Sequence, residues 1–218
     1  MEKSKIILDL CGGTGSWSKP YGLAGGGYTV YVITLPHYDL FKTEKKNGFL
    51  TFAGEKTLTI NAAEVYGILA APTCTMFSLA RTTAKKPRDF EEGMALVRKC
   101  LDIVWYCRSR EDSNLKFWAL ENPMGYLRQF LGKPALTFNP NDYGDCYTKK
   151  TDIWGYFNEP RKNPRALTEE EFLRCKINSR ELPELPEDYI MPSGWNKTAA
   201  RRSMTSAKFA EAFYKANK

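Results

Sequence analysis

The chain has 218 residues, 43% hydrophobic and 13% aromatic; it can bury a core, which excludes global disorder and suits one domain with at most a small appendage. A formal net charge of +7 favours a polyanionic partner such as nucleic acid. No apolar run approaches ~18 residues, so no transmembrane helix and no membrane partner are expected, and the apolar run of the basic N-terminus is cut by Asp9, unlike a signal peptide.

The first element is "KIILDL" (5–10), a short buried strand ended by the glycine-rich break that follows. "YTVYVITL" (28–35) is a second strand, rich in β-branched and aromatic residues. "FLTFAGEKTLTI" (49–60) reads as strand, turn at Ala53–Gly54, and strand; "VYGILAAP" (65–72) reads as another buried strand. Residues 90–110 carry apolar side chains at 94, 97, 101, 104 and 105, a helical face. "KFWALENP" (116–123) and "TDIWGYF" (151–157) are strands, and helices are expected at 168–175 and 206–217. Strands alternating with helices point to an α/β domain with a mostly parallel sheet. Such sheets bind ligands outside the carboxyl ends of their strands. That singles out residues 9–17, 72–78 and 121–123.

Cysteines 11, 74, 100, 107, 146 and 175 are scattered without a CxxC pair. With no secretion signal, they read as free thiols in a reducing, cytoplasmic compartment. His37 is the sole histidine, so no zinc site or other metal is expected.

In "DLCGGTGSW", Asp9 ends a strand and Gly12, Gly13 and Gly15 follow. Glycines permit a tight turn and close backbone approach to a ligand, and a following helix start offers N–H groups to an anion. The stretch is neither a P-loop nor a full GxGxxG, since Ser18 stands at the third glycine's place. It is either a plain strand-to-helix turn or a nucleotide or adenosine cofactor site. A ribose-binding acid belongs at the end of the next strand; Thr34 and Leu35 stand there, and the nearest acid is Asp39. Cys74, in "APTCTMFS", is either one more inert buried thiol or a nucleophile placed at a strand end. Glu121 and Asn122 close the next apolar strand, where polar groups are costly unless paired or facing a ligand.

The ordered set "DLCGGTGSW", "PTCTMFS" and "ENP" resembles the DNA cytosine-5 methyltransferases: a glycine-rich cofactor motif, a nucleophile loop, and a Glu-Asn motif. "WALENP-x-G" and "LGKPAL-x-F-x-P-x-DYGD" resemble, more narrowly, short phage and bacterial members of that superfamily, across most of the chain. The resemblance implies a Rossmann-like, S-adenosylmethionine-dependent methyltransferase fold, with a mostly parallel sheet and helices on both faces, working in the cytoplasm of a bacterium or phage-infected cell. It implies S-adenosylmethionine bound by Asp9, Cys11, Gly12, Gly13, Thr14, Gly15, Ser16 and Trp17, with Thr34, Leu35, Pro72 and Ser203. Cys74 would add to cytosine C6, Glu121 would protonate N3, Asn122 would orient the loop, and Lys149 would stand for the first of the family's two arginines. Thr73, Thr75, Ser78, Arg81 and Thr151 would contact DNA. The cytosine is expected flipped out or single-stranded, because C6 is unreachable inside the stack.

The chain departs from the family pattern at Thr73 (a proline), Thr75 (a glutamine), Thr151 (the second arginine) and Arg202 (an asparagine). Residues 1–157 form the expected catalytic core and 201–218 a C-terminal helix completing it. Only 158–200, rich in Pro and Glu, stand in place of a recognition region. Little sequence specificity is expected unless a partner chain supplies it. The basic segment 79–90 reads equally as a solvated loop or as a clamp on a nucleic-acid backbone. Two further readings stay open: the same chemistry on a nucleotide or RNA acceptor or with a modified donor, and a non-catalytic cofactor-binding relative.

Overall fold

Five of the six residues of β1 (Lys5–Leu10) are fully buried, the pattern of an interior strand covered on both faces. The computed structural model describes residues 4–23, 25, 27–82, 84–164, 166, 168–174, 183–187, 189–191 and 195–218. After β1 come α1 (Lys19–Leu23), β2 (Tyr28–Ile33), β3 (Asp39–Lys46), β4 (Phe49–Ala53), β5 (Thr57–Asn61), β6 (Val65–Ala70) and α2 (Phe90–Arg108). Then follow β7 (Phe117–Pro123), α3 (Arg128–Leu131), β8 (Leu136–Phe138), β9 (Thr151–Tyr156), α4 (Glu169–Arg174), α5 (Lys197–Ser203) and α6 (Ala207–Ala216).

The main sheet has the order β2-β1-β6-β7-β9-β8. The first four strands are parallel neighbours, and β9 and β8 add an antiparallel edge. This is a mixed α/β fold with a mostly parallel six-stranded sheet, compatible with a Rossmann-like architecture. Side chains of β1 alternate between two cores. Ile6, Leu8 and Leu10 join Val97, Cys100, Ile103 and Val104 of α2 on one face. Ile7 joins Trp17, Tyr21, Phe209 and Phe213 beside α1 and α6 on the other. Each such large side chain taken out of water contributes about 1.5–3 kcal/mol.

The sequence left 36–48 without an element. There β3 pairs with β4, and β4 with β5, in a separate antiparallel sheet. Leu40, Leu50, Phe52 and Ile60 pack that sheet into the α2-side core, and Lys45 pairs with Asp102 of α2. The buried stripe of α2 is Val97, Cys100, Ile103, Val104 and Cys107. Trp105, assigned to the apolar face by spacing, is 69% exposed; the 97–100–104–107 rhythm turns it to the solvent side. The helix expected at 168–175 spans Glu169–Arg174. Position 175, including its expected free thiol, lies outside the described residues, as does part of the 158–200 segment. The expected C-terminal helix is preceded by a second one, α5. Among the described residues, no helix is long and apolar enough to cross a membrane.

Candidate active site

Because β1, β2, β6 and β7 are parallel, the residues ending them lie along one edge of the sheet. That edge carries the glycine-rich turn after β1, Thr34 and Leu35 after β2, the Cys74 loop after β6, and Glu121 and Asn122 at the end of β7. All three stretches singled out from the sequence meet there.

Cys11, Gly13 and Gly15 take left-handed φ values of 56°, 55° and 67°, which fold the chain back on itself. The Cys11 N–H donates to the Ile33 carbonyl at 2.8 Å, tying the turn to β2. Asp9 lies fully buried beneath it and accepts a 2.6 Å hydrogen bond from Ser18 Oγ. Its other oxygen has no hydrogen-bond partner among the described residues. Burial pushes the Asp9 carboxyl up to about 6, against the lowering effect of Ser18. A Cβ at Gly12 would run into that carboxyl, whereas one at Gly13 would meet nothing within 4 Å. Asp9 therefore supports the turn from below, and Gly13 fronts open space.

The other cofactor candidates divide. Ser16 Oγ accepts a 2.9 Å bond from the Thr205 N–H, and Thr14 is half-buried. Trp17 is 2% exposed and packs its ring on Phe209 and Phe213, at 6.1 and 5.4 Å; it is a core residue. The following helix α1 has five residues with Pro20 in its first turn, so the turn itself, rather than a helix end, is what a ligand can approach. Leu35 is exposed at the end of β2, and the Thr34 carbonyl accepts from the Tyr38 N–H. Asp39 turns to its own strand and accepts from the Phe41 N–H at 3.0 Å. Ser203 is exposed on α5, its hydroxyl donating to the Ala200 carbonyl; the C-terminal contact to the turn is made by Thr205.

Asn122 is fully buried and donates from Nδ2 to the Pro72 carbonyl at 2.9 Å, anchoring the loop two residues before Cys74. The Phe77 and Ser78 N–H groups both donate to the Cys74 carbonyl, at 2.9 and 2.8 Å, closing a tight turn just after the thiol. Thr73 and Thr75 on either side are exposed. Burial pushes the Cys74 thiol up, the Glu121 charge adds to this, and Lys149 opposes it. Burial likewise raises the Glu121 carboxyl, with Lys149 lowering it and Asp152 raising it. Lys149 Nζ stands 3.9 Å from Glu121 Oε1. Thr151 is buried, and its hydroxyl donates to the Lys149 carbonyl at 2.7 Å, which fixes the backbone carrying the lysine.

A small cleft beside this group is lined by Glu121, Lys149, Thr151, Tyr147, Thr205 and Ser206. Tyr147, Thr205 and Ser206 were not singled out from the sequence. Ser206 donates to Asp145 and so holds the start of α6 against the 144–149 stretch. Behind the cleft, Arg128 binds both oxygens of the buried Asp152 at 2.6 Å each, and Thr137 Oγ1 donates to the same carboxylate at 2.7 Å. Asp152 sits opposite Asn122 in the β7–β9 register, so this clamp secures the strand pair that faces Glu121 towards Lys149. In the 79–90 segment, Arg81 donates to the carbonyls of Lys86 and Pro87, and Arg88 donates to those of Met76 and Ser78. Among the described residues, no group of three His, Cys, Asp or Glu side chains is placed to hold a metal ion. Compared with known protein families and with curated proteins, the chain matches none.

Proposed function

We propose that the protein is a DNA (cytosine-5) methyltransferase, working through a covalent bond between Cys74 and C6 of the base. The observation that carries this reading is the convergence of Cys74, Glu121 and Lys149 within mutual electrostatic reach, on the strand-end edge that also holds the glycine-rich turn. A plain binding module needs neither a thiol nor a buried carboxyl there.

The turn suits S-adenosylmethionine. It is open at Gly13, and it is held from below by Asp9 and from the side by Thr205. Residues 12–16, with Leu35, are those that would hold the cofactor, which supplies an electrophilic methyl group when bound. The chain's own residues do the rest. Cytosine C5 is a weak nucleophile. Addition of the Cys74 thiolate to C6, with a proton from Glu121 to N3, converts the ring to an enamine whose C5 is nucleophilic. Once C5 has taken an electrophile, its original proton leaves to solvent, the C5–C6 double bond re-forms as sulfur departs C6 as a thiolate, and N3 returns its proton to Glu121, which restores the aromatic ring. Burial favours the protonated form of Glu121, as this step requires. Once Glu121 is neutral, its opposition to the thiolate ends, and Lys149 is left as the charge stabilising the sulfur anion.

A second reading keeps this chemistry on another acceptor, a nucleotide or RNA. It is favoured by the segment 158–200, whose described part offers only α4, the start of α5 and connecting chain. Release of tritium from C5 of labelled cytosine, in DNA, RNA and mononucleotides, tests both. Exchange is expected with the wild type and absent in Cys74→Ser, because a serine hydroxyl is far less nucleophilic than a thiolate. Full exchange by Cys74→Ser would end the covalent mechanism.

A further inference from the structure

We propose that Arg88 is a positioning residue that clamps the Cys74 turn in its working shape. The proposal rests on the reading of Cys74 as the nucleophile, and it starts from a residue that the sequence grouped with a solvated or phosphate-binding loop.

The guanidinium of Arg88 faces inward. Nη1 donates to the Met76 carbonyl at 2.9 Å, and Nη2 donates to the Ser78 carbonyl at 2.9 Å and the Arg81 carbonyl at 3.4 Å. The group lies 4.8 Å from the centroid of the Tyr126 ring. Met76 and Ser78 are two and four residues beyond the thiol, in the turn whose N–H groups already bond back to the Cys74 carbonyl. One planar cation thus gathers the turn's carbonyls, a fork geometry that lysine cannot reproduce.

The clamp is anchored on rigid structure. Asp89, the next residue, caps α2 by accepting from the Glu92 N–H at 2.9 Å. The first turn of α2 presses on the same loop: a Cβ at Gly93 would lie 2.9 Å from both Met76 Cβ and Phe77 Cζ. On the far side, Ser78 bridges Gly125, and the Tyr126 N–H donates to the Phe77 carbonyl at 2.9 Å. The Cys74 turn is therefore held between α2 and the segment that follows Glu121 and Asn122, and Arg88 touches both sides. A thiol positioned this way keeps a fixed distance from Glu121 and Lys149. Misplacing a reacting group by about 1 Å costs on the order of 100-fold in rate.

The test compares wild type, Arg88→Ala and Arg88→Lys by three readouts: kcat and KM for methyl transfer, the rate of Cys74 alkylation by iodoacetamide followed by peptide mass spectrometry, and the melting temperature. Arg88→Ala is expected to lose roughly 100-fold in kcat with KM for the cofactor unchanged. Its Cys74 should alkylate severalfold faster as the turn opens, with Cys146 as an internal reference, and Arg88→Lys should fall between. Added guanidinium ion at millimolar concentration should restore part of the Arg88→Ala rate. Wild-type kcat and wild-type Cys74 alkylation in Arg88→Ala would overturn the proposal. So would a loss of kcat accompanied by an equal loss of cofactor binding. If Arg88→Ala does not fold, Arg88→Lys decides: reduced kcat with faster alkylation supports the clamp, and wild-type values of both overturn it. If the wild type transfers no methyl group to any acceptor, the methyltransferase reading falls, and the alkylation rates alone support or overturn the clamp.

Discussion

Beyond the effect of burial, the Cys74 thiol feels the charge of Glu121, which raises its proton affinity, and that of Lys149, which lowers it. Removing either charge should move the thiol in a known direction. Glu121→Gln deletes a raising influence, so alkylation of Cys74 at pH 7.5 is expected to speed up by roughly three- to tenfold even as methyl transfer is lost. Lys149→Met should slow it. Identical alkylation profiles across the three proteins would show that neither side chain faces the sulfur. Asp9 offers a test through stability. Its carboxyl is pushed from the ordinary 3.8 to about 6 in the fold, so the native state binds a proton that the unfolded chain has released. The stability this provides is fully present below about pH 4 and is lost as pH rises through about 6. Between pH 4 and 7, wild type should lose on the order of 2–3 kcal/mol relative to Asp9→Asn, by urea unfolding at each pH. A constant difference would mean that Asp9 ionises freely.

At the scale of elements, the glycine-rich turn is the most sharply constrained piece. Gly12→Ala forces a methyl group into the Asp9 carboxyl and should displace the turn without unfolding the sheet. The expected signature is a lost cofactor-induced rise in melting temperature. In wild type that rise corresponds to ~2.7 kcal/mol at a hundredfold excess over Kd. An unaltered rise in Gly12→Ala would move the cofactor elsewhere. The elements legible in the sequence are those that are buried on both faces or strongly periodic: β1, β6 and β7 as apolar runs, the β4–β5 hairpin around Gly54, and α2. Missed were β3, whose "DLFKTEKK" carries three lysines and a bulge instead of alternation, the three-residue β8, the short helices α3 and α5, and α1, whose "KPYGL" holds two poor helix formers. The strand-end motifs were legible because each lies in one short stretch. Tyr147, Thr205 and the Arg128–Asp152 clamp were not, because the register of β9 and the docking of α6 bring them in from a distance, and no local pattern records that. Arg88 was read as surface charge because a sequence does not show which way a guanidinium points.

For the whole molecule, the basic balance has to be weighed against what each cation already does. Arg88 and the Nη2 of Arg81 serve the chain's own carbonyls, and Lys149 faces Glu121. Lys85, Lys86 and Lys150 are exposed near the site. If they meet phosphates, binding to DNA should weaken with salt, with a log–log slope of about −0.9 per contact on duplex or −0.7 on single strands. Changing these three to Gln should flatten the slope by up to that amount for each, measured by fluorescence anisotropy; an unaltered slope would place the nucleic acid on another face. The docking of α6 has a consequence for how the molecule is made. Tyr21 donates its hydroxyl to the carbonyl of Asn217, 196 positions later in the chain, and the partners of Trp17 are Phe209 and Phe213. Ribosomes add about 5–20 residues per second, so the face of the sheet bearing Ile7, Leu69 and Phe117 stays bare for on the order of ten seconds or more after β1 is synthesised. A chain stalled before Thr205 lacks both the cover for that face and the N–H that fixes Ser16. The order of synthesis therefore makes the glycine-rich turn one of the last parts to be finished, and an incomplete copy is left without its assembled ligand edge.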